Sequence, residues 1–174
     1  MNRRAHFVAA ACLAVAAHAL TVWAIPRLIM ARVISMSTTE TNAAGSFLPP
    51  PTDHTSRRIV MPSPDLLYAT CSLALADGPA RVTFEGRYAR YWSIALYATN
   101  SDNFFVIGDR QSEGRSVDLR IVGPTNSSRD KRTIRAPSER VFLLMRLLVN
   151  DDPAVLAEAE RARRTLRCEP ETKA

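Results

Sequence analysis

A single arginine interrupts the most apolar strand-like run of this chain. In Val141-Phe142-Leu143-Leu144-Met145-Arg146-Leu147-Leu148-Val149, Arg146 is the only charged residue. Strand alternation puts Phe142, Leu144, Arg146 and Leu148 on one face and Val141, Leu143, Met145, Leu147 and Val149 on the other. A guanidinium on an apolar face has to reach carboxylates, carbonyl oxygens or solvent, because an unpaired buried charge is costly. Asp102, Asp109 and Glu85 are the candidate partners, with Asp65 a weaker one. The structural reading is a fixed ion pair, or a side chain snorkelling to water at the strand's edge. The functional reading is a guanidinium offered to an anionic ligand in a pocket shared with Tyr68 or Tyr97.

The densest aromatic stretch, residues 87–109, supplies the rest of this candidate site. Trp92, Ile94 and Leu96 alternate onto one face and read as core; Tyr91, Ser93, Ala95 and Tyr97 share the other. The stretch reads as a central hairpin turning at Asn100-Ser101-Asp102-Asn103, with Tyr91 and Tyr97 available to line a pocket on the outer face. The ligand-binding candidates are therefore Arg146, Tyr68, Tyr91 and Tyr97.

Other chemistries find little support. The three histidines, His6, His18 and His54, all precede residue 62, so the domain that follows lacks the commonest general base and any Ser-His or Cys-His pair. There is no Gly-x-Ser-x-Gly elbow, no phosphate-cradling glycine loop with lysine, and no His-Glu-x-x-His. Cys12, Cys71 and Cys168 form no Cys-x-x-Cys pair and lie outside metal-ligand spacing from the histidines. No metal or cofactor is implied. Asp102 and Asp109, read as lying near one end of the hairpin, are the conceivable carboxylate pair. Cys71, in a strand, and Cys168, after the last helix, could form a disulfide in an oxidising compartment or remain unrelated thiols.

The elements that must hold these residues are mostly strands. Short runs rich in β-branched and aromatic residues cover 66–76, 80–84, 91–98, 104–107, 117–122, 133–135 and 141–149. Turn clusters such as Asp77-Gly78-Pro79, Glu85-Gly86, 108–114 and 123–128 end them, because Gly supplies positive φ, Pro blocks pairing, and Asn and Asp form side-chain turns. Such spacing predicts a mainly β domain: an antiparallel β-sandwich or partly closed barrel. A C-terminal helix is expected over 153–167. Asp152 caps it, Pro153 takes the first helical position, Val155, Ala159, Ala162 and Leu166 share one face, and Glu160 and Arg164 are spaced to pair. Its arginines suit a helix C-terminus.

Ahead of the domain, residues 5–25 carry no charge and are long enough to cross a bilayer as one helix. Arg3 and Arg4 favour an amino terminus inside and the domain outside. The alternative is a cleaved signal peptide, with Ala17-His18-Ala19 as its small-x-small site. The apolar run continues past that site to Ile25, with Trp23 placed as an interfacial anchor. The expected organisation is an anchor over 1–27, a short amphipathic helix and Pro-rich linker over 28–61, and the β domain over 62–174. The net charge of +6 comes from scattered arginines rather than a stripe, so nucleic acid is not an expected partner.

The order of motifs Pro64-Asp65-Leu66-Leu67-Tyr68, Asp77-Gly78-Pro79, Arg90-Tyr91-Trp92-Ser93-Ile94-Ala95-Leu96-Tyr97, Ile107-Gly108-Asp109-Arg110, Ile121-Val122-Gly123-Pro124 and Ile134-Arg135-Ala136-Pro137 resembles a bacterial membrane-protein family, domain of unknown function 1254, in its short single-pass members. The resemblance implies an all-β, sandwich-like extracytoplasmic domain with no established activity. Longer members carry more preceding sequence and a second domain, so this chain is expected to need a partner to complete its sheet. Together these readings point to a membrane-anchored periplasmic binding or assembly module in the bacterial inner membrane. Its expected partners are the bilayer, through residues 5–25, and a second membrane or periplasmic protein or another copy of itself. The alternative function is a carboxylate- and arginine-based periplasmic enzyme acting on carbohydrate or lipid.

Overall fold

The computed structural model describes residues 3–39, 41–42, 45–57, 62–126 and 133–171. The first element is a single 37-residue helix, α1 (Arg3–Thr39). Its uncharged front part is bare: Phe7, Leu13, Leu20 and Trp23 are all exposed. An 18-residue stretch reaches a mean hydropathy of 2.0, long and apolar enough to cross a bilayer, a test that a signal sequence also passes.

The helix does not break at residue 27, as the expected domain boundary had it. Pro26 lies inside α1, at a usual cost of about 3 kcal/mol. Two features offset it. The Arg27 guanidinium donates to the Trp23 carbonyl at 2.6 Å and lies 4.5 Å over the Trp23 ring. Beyond the proline, Met30, Val33, Ile34 and Ser37 are buried against the β domain, so tertiary packing holds the helix together.

The strands are β1 (Ser46–Phe47), β2 (Leu66–Ala74), β3 (Ala80–Phe84), β4 (Trp92–Tyr97), β5 (Asn103–Gly108), β6 (Val117–Val122), β7 (Thr133–Arg135), β8 (Arg140–Leu148) and β9 (Arg167–Pro170). They form a five-stranded sheet in the order β1-β2-β8-β4-β5 and a four-stranded sheet in the order β7-β6-β3-β9. The two sheets do not close into a barrel; the arrangement is sandwich-like. Their facing sides meet in one core, where Trp92 packs edge-on to Phe84 at 4.9 Å between ring centroids. Cys71 on β2 is bonded to Cys168 on β9, 97 residues away, so the disulfide ties one sheet to the other.

Three expectations need correction. The sheets are not purely antiparallel, because β7 runs parallel to β6, with Arg120 opposite Thr133. The chain returns alongside β6 instead of turning back on it, and the Ala136 N–H closes this pairing on the Val122 carbonyl. The last helix, α3 (Pro153–Arg163), stops four residues before the expected end. Its chain turns at Arg164 and Thr165 so that Arg167–Pro170 can pair with β3 as an edge strand. Residues 109–112, expected as part of a turn, form a single helical turn, α2 (Asp109–Ser112).

The linker does not hold the domain at a distance. Ser46 is almost completely buried, and β1 pairs with β2, Phe47 opposite Thr70. Gly45 makes this approach possible: its φ is +70°, and a Cβ there would lie 1.9 Å from the Cys168 carbonyl oxygen. The proline segment then continues across the five-stranded sheet as a strap.

Candidate functional site

The outer face of the five-stranded sheet carries the candidate residues. Register places Tyr68 of β2 and Ser93 of β4 on either side of Arg146, and Thr70 and Ala95 on either side of Leu144. Tyr97 lies opposite Phe142. The floor of the site is therefore Arg146, Leu144 and Phe142 in one row along β8, about 13 Å from first to last at strand spacing. The roof is the last third of α1. Met30, Val33 and Ile34 pack on Phe142, with Tyr97 and Leu144 beside them, and the Ser37 and Thr70 hydroxyls are 3.4 Å apart. The strap, Pro49–Thr52, closes the side. These three walls line a half-open cavity of about 500 Å³, and no carboxylate is among its described lining residues.

Arg146 is the one strongly polar group on this floor. Its Nε is buried and has no hydrogen-bond partner, and the guanidinium makes no ion pair among the described residues. The part-exposed guanidinium thus stands at one end of the floor with its buried Nε donor unused, and an unmet buried donor costs about 1–3 kcal/mol relative to a satisfied one. Asp102 and Asp109 do not serve it, and they do not form a site with each other. The hairpin loop ends at Asp102 and β5 then runs its full length before Asp109, so the two acids lie about 20 Å apart. That separation corrects the expectation that they share one end of the hairpin.

The tyrosines separate. Tyr68 and Tyr97 line the cavity, while Tyr91 lies outside its lining, half-exposed, with its hydroxyl donating to Ser93 Oγ at 2.9 Å. The Tyr68 hydroxyl accepts from the Ser63 N–H at 3.0 Å, which fixes the ring at the strap's far end. Arg57, the second arginine at the cavity, donates to the carbonyls of His54 and Ser56. Among the described residues no group of three His, Cys, Asp or Glu could hold a metal ion.

One residue that shapes the site escaped the sequence reading. Arg163 of α3, taken there as part of the helix's basic C-terminal end, is only 4% exposed. It donates to the Pro49 carbonyl at 2.6 Å, to the Tyr68 carbonyl at 2.7 Å, and to the Glu160 carboxylate. Burial pushes its pKa down, and the Glu160 carboxylate opposes that. This side chain clasps the strap to β2 and so fixes one wall of the cavity. The signal was present in the sequence: Ala159, Ala162, Arg163 and Leu166 share one helical face by their spacing, and an arginine on an apolar face needs acceptors. The roof was missed for a different reason: the segment after Pro26 reads as a short amphipathic helix, but nothing in its pattern says that its apolar face lies on the sheet.

Solved structures give the fold a context. A crystal structure of a protein from Vibrio parahaemolyticus superposes with a TM-score of 0.54 at 16% identity, covering 63% of this chain and 28% of that one. One of an uncharacterized protein from Burkholderia cenocepacia gives 0.48 at 19% identity, covering 89% of this chain and 42% of that one. The chain thus spans less than half the length of either. No curated protein matches it. The match that decides membership is to the sequence family described as protein of unknown function (DUF1254), over residues 43–170, which takes in every strand from β1 to β9, and the chain belongs to that family.

Proposed function

We propose that the protein is a membrane-anchored binding module of the bacterial periplasm, and that its cavity takes one ligand with an apolar body and an anionic end. The observation that carries this reading is the buried, unpartnered Nε of Arg146 at one end of a largely apolar cavity. A structural arginine would have an acceptor; Arg163, buried in the same domain, has three. An anion brought to Arg146 would supply the missing acceptor as a charge-assisted bond, a contact stronger than a neutral one. A cavity of about 500 Å³ lies within the ordinary range for a small-molecule site. The enzymatic alternative has less to rest on, since Asp102 and Asp109 lie at opposite ends of β5 and no carboxylate lines the cavity among the described residues.

The test is a titration of the full chain, in nanodiscs of neutral phosphatidylcholine, with anilinonaphthalene sulfonate, an apolar anion. The signal of empty nanodiscs is subtracted. Saturable binding is expected, weakened about tenfold or more in Arg146→Leu, in line with loss of a charged hydrogen bond. Equal binding by the two proteins would remove Arg146 from any role in ligand binding.

A further inference from the structure

The cavity's position on α1 narrows the class of ligand. Residues 5–25 span about 31 Å as a helix, which matches the hydrocarbon thickness of a bilayer. Met30 follows Pro26 by four residues, about 6 Å along the axis, and headgroups extend about 5–8 Å beyond the hydrocarbon on each side. The cavity's nearest wall therefore begins at the level of the headgroups. The contact between the Ser101 hydroxyl and the Pro26 carbonyl, at 2.9 Å, brings the hairpin loop down to the same level.

The floor along β8 is also charged at one end only. Met30 packs against Phe142, at the membrane-side end of the floor, while Arg146 stands two outward-facing positions further along β8. The apolar end thus faces the bilayer and the cation lies away from it. Tyr68 on β2 stands level with Arg146 and Tyr97 on β4 level with Phe142, so a tyrosine flanks each end of the floor, about 13 Å apart along β8.

Resting on the binding reading above, we infer that the ligand is a single-chain anionic amphiphile drawn from the adjacent leaflet, its headgroup on Arg146 and its tail directed back along Leu144 and Phe142 toward the membrane. Straight-chain alkyl carboxylates are the simplest members of this class.

The experiment is competition against bound anilinonaphthalene sulfonate, using the full chain in phosphatidylcholine nanodiscs. The competitors are carboxylates from six to sixteen carbons and the twelve-carbon alcohol, compared at equal free aqueous concentration. Potency should rise about fourfold per added methylene and level off once the chain outgrows the cavity. The alcohol should compete at least tenfold more weakly than the carboxylate of equal length, a comparison that needs no variant to fold. Carboxylates that fail to rise in potency with length, or an alcohol as potent as its carboxylate, would overturn the single-chain inference while the sulfonate's dependence on Arg146 still held. Loss of that dependence would instead overturn the binding reading beneath it.

Discussion

Arg163 is buried and Arg146 part-buried in one small domain, and their surroundings set them apart. Arg163 reaches the carbonyls of Pro49 and Tyr68 and the carboxylate of Glu160, so its cost of burial is met within the fold. Arg146 Nε has no such partner. Arg146→Leu removes an unsatisfied group from an apolar face without stranding a partner, so stability should hold or rise by about 1–2 kcal/mol. Thermal unfolding of the ligand-free protein checks this, and a fall in melting temperature of several degrees would mark Arg146 as a structural residue. Arg146 was legible in the sequence because nothing but alternation and charge is needed to see one cation on an apolar strand. Its lack of a partner was not legible, since Asp102, Asp109, Glu85 and Asp65 all remained possible until the register was known.

At the scale of elements, β2, β3, β6 and β8 bury alternate residues over much of their length between turn residues, which is why their positions could be read from side-chain pattern. The elements that build the site's walls lack such a pattern. β1 is two residues long, and β9 lies in a segment whose apolar spacing continues that of α3. The strap has the composition of a free linker, yet Arg163 clasps it and Thr52 donates to the Ser63 carbonyl at 2.9 Å. Only tertiary contacts make it a wall. Arg163→Ala should accordingly lower stability by about 3 kcal/mol, as expected for breaking a buried, hydrogen-bonded ion pair. It should also release residues 48–52 locally, seen as faster amide exchange at Leu48 and Thr52 than in the parent. Unchanged exchange there would show that the strap is held by packing alone.

At the scale of the molecule, two long-range ties hold the site together: the disulfide between the sheets, and α1 laid over the outer face. Reduction of Cys71–Cys168 opens a loop of about 97 residues, worth about 4–5 kcal/mol in the chain-entropy model and often less in practice. Melting with and without reductant should therefore differ by many degrees, and identical curves would show that the bond contributes nothing. The roof of the cavity, Met30–Ser37, lies outside the stretch matched to the family, residues 43–170. It also lies beyond the small-x-small site at Ala17-His18-Ala19, so the cavity's residues persist whether the front of α1 anchors the protein or is removed. The measurement that bears most directly on the central claim is native mass spectrometry of the full chain released from its own membranes in lipid nanodiscs. The account predicts one equivalent of a bound anionic, single-chain species on the parent protein and its loss from folded Arg146→Leu. A parent protein that carries no ligand, or a ligand retained equally by the variant, would contradict it.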